Sequence, residues 1–301
     1  SRLISQAIPW LRKAIAVYAK NNATLRTEDQ LKAYFLLSVH QRLLNQFPSC
    51  LITVKQGLEF ASYVSPSRWT SRLYATLAFL LYQQGDYESA LSHAHQAARY
   101  GQVTQDDYAY ADGSYELGKA LYKLQKFNES KQALQLSVSL AEQSTTPNPD
   151  LIQYYKTLAY VSKSMGDTLG GIRYFNKAVK LLKTQKDSLG IGNTSIDIGF
   201  FLWEIKRYKE AIAPLEDAIR IHPTVYGKAL AYDNLGGVYW KLNQYPKALQ
   251  TFQSGLAILP LNVERDITDL PKAADIRLLP YKNYIFTLIL DKADTWLDYA
   301  R

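Results

Sequence analysis

The residues able to do nucleophilic, acid–base or metal chemistry are few: one cysteine, Cys50, and four histidines, His40, His93, His95 and His222. A thiol nucleophile needs an imidazole to take its proton, and a zinc site needs three or four nitrogen, sulfur or carboxylate donors. Cys50 lies in QFPSCLITVKQ, a stretch with helical apolar spacing, and reads as a small buried hydrophobe at a helix contact. His93 and His95 are two apart, so on a helix they point to different sides, whereas a shared metal wants an i, i+4 pair. His222 precedes Pro223 at a helix end, where an imidazole can cap carbonyls or meet the helix dipole. The string SLGIGNTSIDIG has Gly190 and Gly192 but neither a third glycine nor a preceding strand, so it reads as a helix start and not a dinucleotide cradle. Phosphate-loop and zinc-helix motifs are missing, and the sequons at Asn22, Asn128 and Asn193 read as chance. The expectation is a non-enzyme with no catalytic residue, no cofactor and no metal.

What remains is binding chemistry. The 301 residues are 47% hydrophobic and carry a net charge of +8, which makes anionic partners plausible. Lys and Arg are interspersed among 27 acidic residues without a run of five like charges, so the excess reads as a solvated surface or a match for an acidic protein, with no nucleic acid and no membrane. The apolar stretches Leu77–Tyr82 and Ile285–Leu290 fall well short of the roughly 20 residues a membrane span needs. A single cysteine forbids an internal disulfide and fits a reducing, cytoplasmic setting. The N-terminal SRLISQAIPWLRKAIAVY is amphipathic, with Arg12 and Lys13 inside it, and does not resemble a signal peptide.

The elements that would position a binding surface show themselves by repetition. Leu or Ile followed by a small residue recurs at Leu77-Ala78, Leu117-Gly118, Leu158-Ala159, Ile198-Gly199 and Leu235-Gly236, at intervals of 40, 41, 40 and 37 residues. Nine residues after each small residue stand Tyr87, Phe127, Thr168, Tyr208 and Tyr245. Ala90, Ser130, Gly171, Ala211 and Ala248 follow three further on, then Ala97, Ser137, Ala178, Ala218 and Gly255 after seven more. Helices packed 8–10 Å apart need small residues where backbones approach and large ones to fill the grooves. Turns are marked by Gly85-Asp86, Gln125-Lys126, Gly166-Asp167, Lys206-Arg207 and Asn243-Gln244, where Gly or Asn tolerates the left-handed backbone that ends a helix.

This pattern resembles the tetratricopeptide repeat (TPR) position by position, with Pro223 and Pro260 as closing prolines. The resemblance implies an all-α fold, a right-handed α-α superhelix (TPR solenoid) of antiparallel helix pairs, with about fifteen helices. It divides one array into a partial repeat at 1–22, a degenerate one at 28–62 and clear ones at 68–101, 107–143, 150–185, 190–222 and 226–260. A linker over 261–279 and a first helix of a further repeat over 280–301 follow. In the degenerate unit Cys50 takes the small-residue slot. The period near 40 is similar to those of kinesin light chains, bacterial peptide-pheromone receptors and bacterial proteins in which a TPR array precedes a CHAT (caspase-like) protease domain. The run Lys292-Ala293…Trp296-Leu297…Tyr299 resembles a segment of that third group. Since the pattern starts and stops inside repeats, the expectation is the sensing part of a longer bacterial polypeptide.

In such a superhelix the first helix of each pair lines the concave face, which implies a groove of Phe35, Val39, Arg42, Arg72, Phe79 and Tyr82. It continues through Tyr115, Lys119, Tyr122, Lys123, Lys156, Tyr160 and Lys163 to Phe200, Trp203, Glu204, Asp233, Trp240 and Lys241. Lysines beside tyrosines suit a protein or peptide segment with acidic and apolar or aromatic residues, or an intramolecular contact with a C-terminal domain. Lys119, Lys123, Lys156 and Lys163 are expected to converge as uncompensated charge. Asp233-Asn234 departs from the carboxylate clamp of chaperone-binding TPRs, so chaperone tails are disfavoured. A peptide-gated regulator that changes superhelical shape is the alternative.

Overall fold

The computed structural model describes residues 2–20, 27–144 and 147–258, which hold thirteen α-helices and no strand. They are α1 (Arg2–Lys20), α2 (Thr27–Leu43), α3 (Phe47–Ala61), α4 (Arg68–Gln84), α5 (Tyr87–Val103), α6 (Asp107–Lys123) and α7 (Phe127–Gln143). The chain continues with α8 (Leu151–Ser164), α9 (Thr168–Gln185), α10 (Ser188–Glu204), α11 (Tyr208–Ile221), α12 (Val225–Lys241) and α13 (Tyr245–Ala257). The helix expected over 280–301 lies outside the described residues.

Each helix starts and stops for local reasons. Ser67, Asp86, Asp106, Asp187 and Thr224 are N-caps whose side chains accept a backbone N–H from the first turn, as where Ala109 donates to Asp106 Oδ1 at 2.8 Å. The Asp187 cap receives the Gly190 N–H at 2.9 Å, so the glycine string opens α10 as expected. At the other ends, Gly85, Gln125, Gly166, Lys206 and Asn243 all adopt positive φ, between 58° and 84°. The residue after each donates back five positions, Lys126 to Leu121 O at 2.9 Å and Arg207 to Leu202 O at 2.8 Å, closing the helix by a Schellman turn. Gln and Lys thus do at two turns what Gly and Asn do at the others.

The described residues fall into two compact units, divided after Gly171. In the first, α2 packs on α3, α4 on α5 and α6 on α7, while α2, α4, α6 and α8 lie side by side. The small-residue slots are where the pairs close: Ala90, Ser130, Ala97 and Ser137 are buried. Ser130 Oγ donates to the Gly118 carbonyl at 2.7 Å, and the Cys50 thiol donates to the Ser38 carbonyl at 3.2 Å, the same bond twelve residues apart in two repeats. The α5–α6 crossing is closest: a Cβ on Gly113 would lie 2.5 Å from the Ala98 nitrogen, and one on Gly101 2.5 Å from the Tyr110 nitrogen. Leu31, Cys50, Val54, Trp69, Leu73, Leu77 and Leu80 form a core cluster here.

The second unit repeats the scheme, with α10 against α11, α12 against α13, and α10 beside α12. Ala211, Ala218 and Ala248 are fully buried, and Leu202, Ala211, Leu215, Leu235 and Val238 form its core.

Candidate functional site

The first helices of the first unit present one face built from rings and charges in alternation. Arg72 on α4 is half-buried, its guanidinium 5.4 Å from the ring of Phe35 on α2, 5.2 Å from Trp69 and 4.2 Å from Tyr108 on α6. A guanidinium held by its faces keeps its in-plane N–H groups available, and the Arg72 Nε has no hydrogen-bond partner. Arg42 on α2 lies 4.9 Å over Phe79. Lys119 on α6 approaches Tyr82, Tyr115 and Phe79 at 4.7, 5.1 and 5.2 Å. Lys123 is exposed and lies 6.0 Å over Tyr82, whose ring meets the edge of Tyr87 at 5.4 Å.

A ladder of hydroxyls ties α6 to α8. The Tyr108 hydroxyl donates to Asp150 Oδ2 at 2.5 Å, the Tyr115 and Thr157 hydroxyls bond at 3.1 Å, and those of Tyr122 and Ser164 bond at 3.1 Å. Tyr108, Tyr115 and Tyr122 are seven residues apart, two helical turns, which sets all three on the same side of α6. That spacing is the signal in the sequence that could have shown the contact. The Tyr122 ring packs on Phe127 at 5.7 Å, and Tyr115 packs on Tyr154 at 4.7 Å. On α8, Lys156, Tyr160 and Lys163 are half-buried, with the Lys163 amine 5.3 Å from the Tyr160 ring.

Three expectations are corrected. Tyr115, 8% exposed, is an interhelix packing residue and not an open anchor. Lys119 is no member of an uncompensated quartet: its amine binds both oxygens of Glu116 at 3.0 and 2.9 Å, with both side chains nearly buried. Asp233 is not a groove residue in contact with solvent but 5% exposed; burial pushes its carboxyl up to about 7, and its Oδ1 has no hydrogen-bond partner.

The acids on this face were missed by the sequence reading. Tyr108, Asp112 and Glu116 follow at four-residue steps along α6, so they share a face, and Asp150 stands at the start of α8 with its side chain turned to Tyr108. Burial foremost, then the charges of Glu116 and Asp150, push the Asp112 carboxyl up to about 7 against the opposing pull of Arg42 and Arg72.

In the second unit Phe200, 42% exposed, stacks on Trp203 at 5.9 Å, and the Lys241 amine from α12 reaches to 6.0 Å from the Trp203 ring. Trp240 meets Tyr245 edge-on at 5.1 Å. These residues make a smaller aromatic and cationic surface on α10 and α12.

The residues of conventional chemistry are placed structurally. Burial pushes the Cys50 thiol up to about 11, the opposite of nucleophilic activation. His93 is half-buried, stacked on Tyr74 at 5.9 Å, while His95 is exposed. His222 does not meet the α11 dipole as a cation, because burial holds its pKa low. Its Nδ1 accepts the Thr224 N–H at 3.2 Å and its Nε2 lies 3.0 Å from Asn193 Oδ1, so it knits the α11–α12 turn to α10.

Comparison with curated proteins finds no match. Among solved structures the fold is similar to the apo form of RapI, at 16% identity, TM-score 0.58 and coverage of 88% of this chain and 93% of that one. It is also similar to a Rap protein complexed with competence and sporulation factor, at 15% identity, TM-score 0.57, covering 85% and 70%. BtubC (BKLC) from P. vanneervenii gives 15% identity, TM-score 0.55, covering 77% and 90%. Tetratricopeptide-repeat family models match residues 70–102, 111–144 and 191–260, and the repeat read at 150–185 lies outside those spans. The chain therefore carries tetratricopeptide repeats, folded as all-helical pairs of the TPR type.

Proposed function

We propose that this chain is a protein-interaction scaffold that holds a peptide or protein segment against the first-helix face, with no catalytic role of its own. The observation that carries the reading is the surface of α4, α6 and α8, where Arg72, Lys119, Lys123 and Lys163 stand on the rings of seven aromatic residues. Cations over half-buried rings, with Lys123 exposed at the edge, suit a segment with apolar or aromatic anchors and carboxylates at the rim. The finer reading is the sensing, regulatory TPR region of a larger bacterial, cytoplasmic protein that continues into a CHAT protease, built on a repeat period near 40 residues. A single cysteine favours that compartment, and no described helix is long and apolar enough to cross a membrane. An intramolecular contact with a downstream domain would use the same face. A peptide-gated regulator is the second reading, favoured by the similar fold of the Rap protein that is complexed with competence and sporulation factor.

The test is selection of binders from a random peptide display library on the immobilised chain, followed by calorimetry. Lys123→Glu with Lys163→Glu should weaken the selected peptides about tenfold or more, increasingly so at low salt. Peptides that bind this double variant as tightly as the parent at every salt concentration overturn the reading. Sequence downstream of the chain decides the CHAT assignment: a caspase-like His and Cys there support it, and their absence removes it.

A further inference from the structure

Among the described residues, Asp112 is the acid between Tyr108 and Glu116 on α6 for which no hydrogen bond is formed. Glu116 is bound by Lys119 through both oxygens, and Asp150 receives the Tyr108 hydroxyl, whereas Asp112 accepts no hydrogen bond and joins no ion pair among the described residues. Arg42 and Arg72 are near enough to feel its charge, but each is held on ring faces, on Phe79 and on Phe35, Trp69 and Tyr108. Burial is the main cause of its raised pKa, and among its charged neighbours the two acids outweigh the two arginines. From the α8 side comes a second, independent vacancy of bonding. Tyr154 is 0% exposed, its ring lies 4.7 Å from Tyr115, and its hydroxyl, within electrostatic reach of Asp112, Asp150 and Tyr108, has no partner. Asn148 lies beside it and lowers its pKa slightly, but among the described residues neither the Asn148 Nδ2 nor the Tyr154 hydroxyl closes a hydrogen bond of good geometry. An unbonded carboxylate and an unbonded phenol oxygen are both acceptors, and Asp112 is only partly buried, so it opens to the face.

We infer that the first unit recognises a basic group of the bound segment, an arginine or lysine side chain, seated against Asp112 with the Tyr154 hydroxyl as a second acceptor. A guanidinium or ammonium would supply the missing donors and the missing positive charge at once. The rings of Tyr108 and Tyr115, on either side of Asp112 in α6, already carry Arg72 and Lys119, so recognition rests on the two acceptors. This inference rests on the first-helix face being the binding surface, and it sharpens the acidic segment expected from the lysines: the segment carries a basic residue at the centre and acidic ones toward Lys123 and Lys163.

The probe is N-acetyl-arginine amide, with N-acetyl-lysine amide as the ammonium form and N-acetyl-citrulline amide as the neutral isostere. Each is titrated into the whole chain carrying carboxyl-¹³C aspartate. The expected result is a saturable shift of the Asp112 carboxyl with the arginine or lysine probe, with the stronger of the two naming the side chain. Binding should be about fivefold tighter at pH 8 than at pH 6, because the cation selects the ionised carboxylate and lowers its pKa by about one unit. Asp112→Asn, which removes an unpaired charge and leaves a folded protein by circular dichroism, should abolish the response. Tyr154→Phe should weaken binding several-fold without loss of fold. No saturable shift at Asp112, an equal response to citrulline, or affinity flat across pH overturns the inference. Library peptides that lose affinity with the lysine replacements but keep it with Asp112→Asn would sink this inference alone, leaving the interaction reading in place.

Discussion

At the scale of single residues, charge is placed on this face with compensation, and two lysines that look alike in sequence are predicted to behave differently. Lys119 is paired with Glu116 in a nearly buried contact, while Lys123, one turn on, is exposed. Lys119→Glu would break that pair and set a third carboxylate beside Asp112 and Glu116, which should cost about 3 kcal/mol. Lys123→Glu should change stability by less than about 0.5 kcal/mol. Urea denaturation of both variants checks this, and equal midpoints would show that Lys119 is free in solution. The buried acid of the second unit gives a pH prediction. The Asp233 carboxyl is held up to about 7 by burial against an ordinary value of 3.8, so the folded chain binds its proton more tightly than the unfolded one. Its stabilising contribution is complete below about pH 4 and is lost as pH rises towards 7. Asp233→Asn should therefore be more stable than the parent at pH 8, with the difference shrinking steadily from pH 7 to pH 5. Parallel denaturation curves with a constant offset would refute the buried carboxyl.

At the scale of elements, the turn chemistry shows how much a sequence discloses. Gly85, Gly166 and Asn243 announce a left-handed residue, and the structure has one at each. Gln125 and Lys206 were legible as turns only from their place in the repeat, because side-chain type alone argues against φ near 60°. Such residues carry roughly 1–2 kcal/mol of strain, while glycine costs roughly 0.5–1 kcal/mol in unfolded-chain entropy, so Lys206→Gly should raise stability by up to about 1 kcal/mol. Lys206→Ala should leave it nearly unchanged, which thermal melts of the two variants can compare. The helix contacts were legible for the same reason as the turns: small residues at fixed spacing are forced by close backbones, as Ser130 on Gly118 and Cys50 on Ser38 show. The candidate site was legible only in part. Projecting repeat positions located the cations and rings, but it treated each helix alone. Whether Tyr115 faces solvent or Thr157, and whether Lys119 meets Glu116, depends on the neighbouring helix and on rotamers that spacing does not encode.

At the scale of the whole molecule, the contacts within each unit run mainly between helices adjacent in the chain and between alternate first helices, as a repeat array requires. Stability in such an array is close to a sum of repeat terms and nearest-neighbour terms, so a lesion should spread to its neighbours and fade. Ala90 tests this because it is buried in the α5 slot against α4, while Ala248 fills the corresponding slot of α13 in the second unit. Replacing Ala90 with Leu forces extra methylenes into a close contact and should cost about 1–3 kcal/mol. Hydrogen exchange read by mass spectrometry should show amides of α4, α5 and α6 losing about tenfold or more in protection, since about 1.4 kcal/mol corresponds to one decade. The helices α10 to α13 should keep theirs. Ala248→Leu should give the mirror pattern, with α12 and α13 loosened and α4 to α6 unchanged. Loss of protection spread evenly over both units in either variant would mean that the chain opens as one cooperative block, and that the repeat account of its stability is wrong.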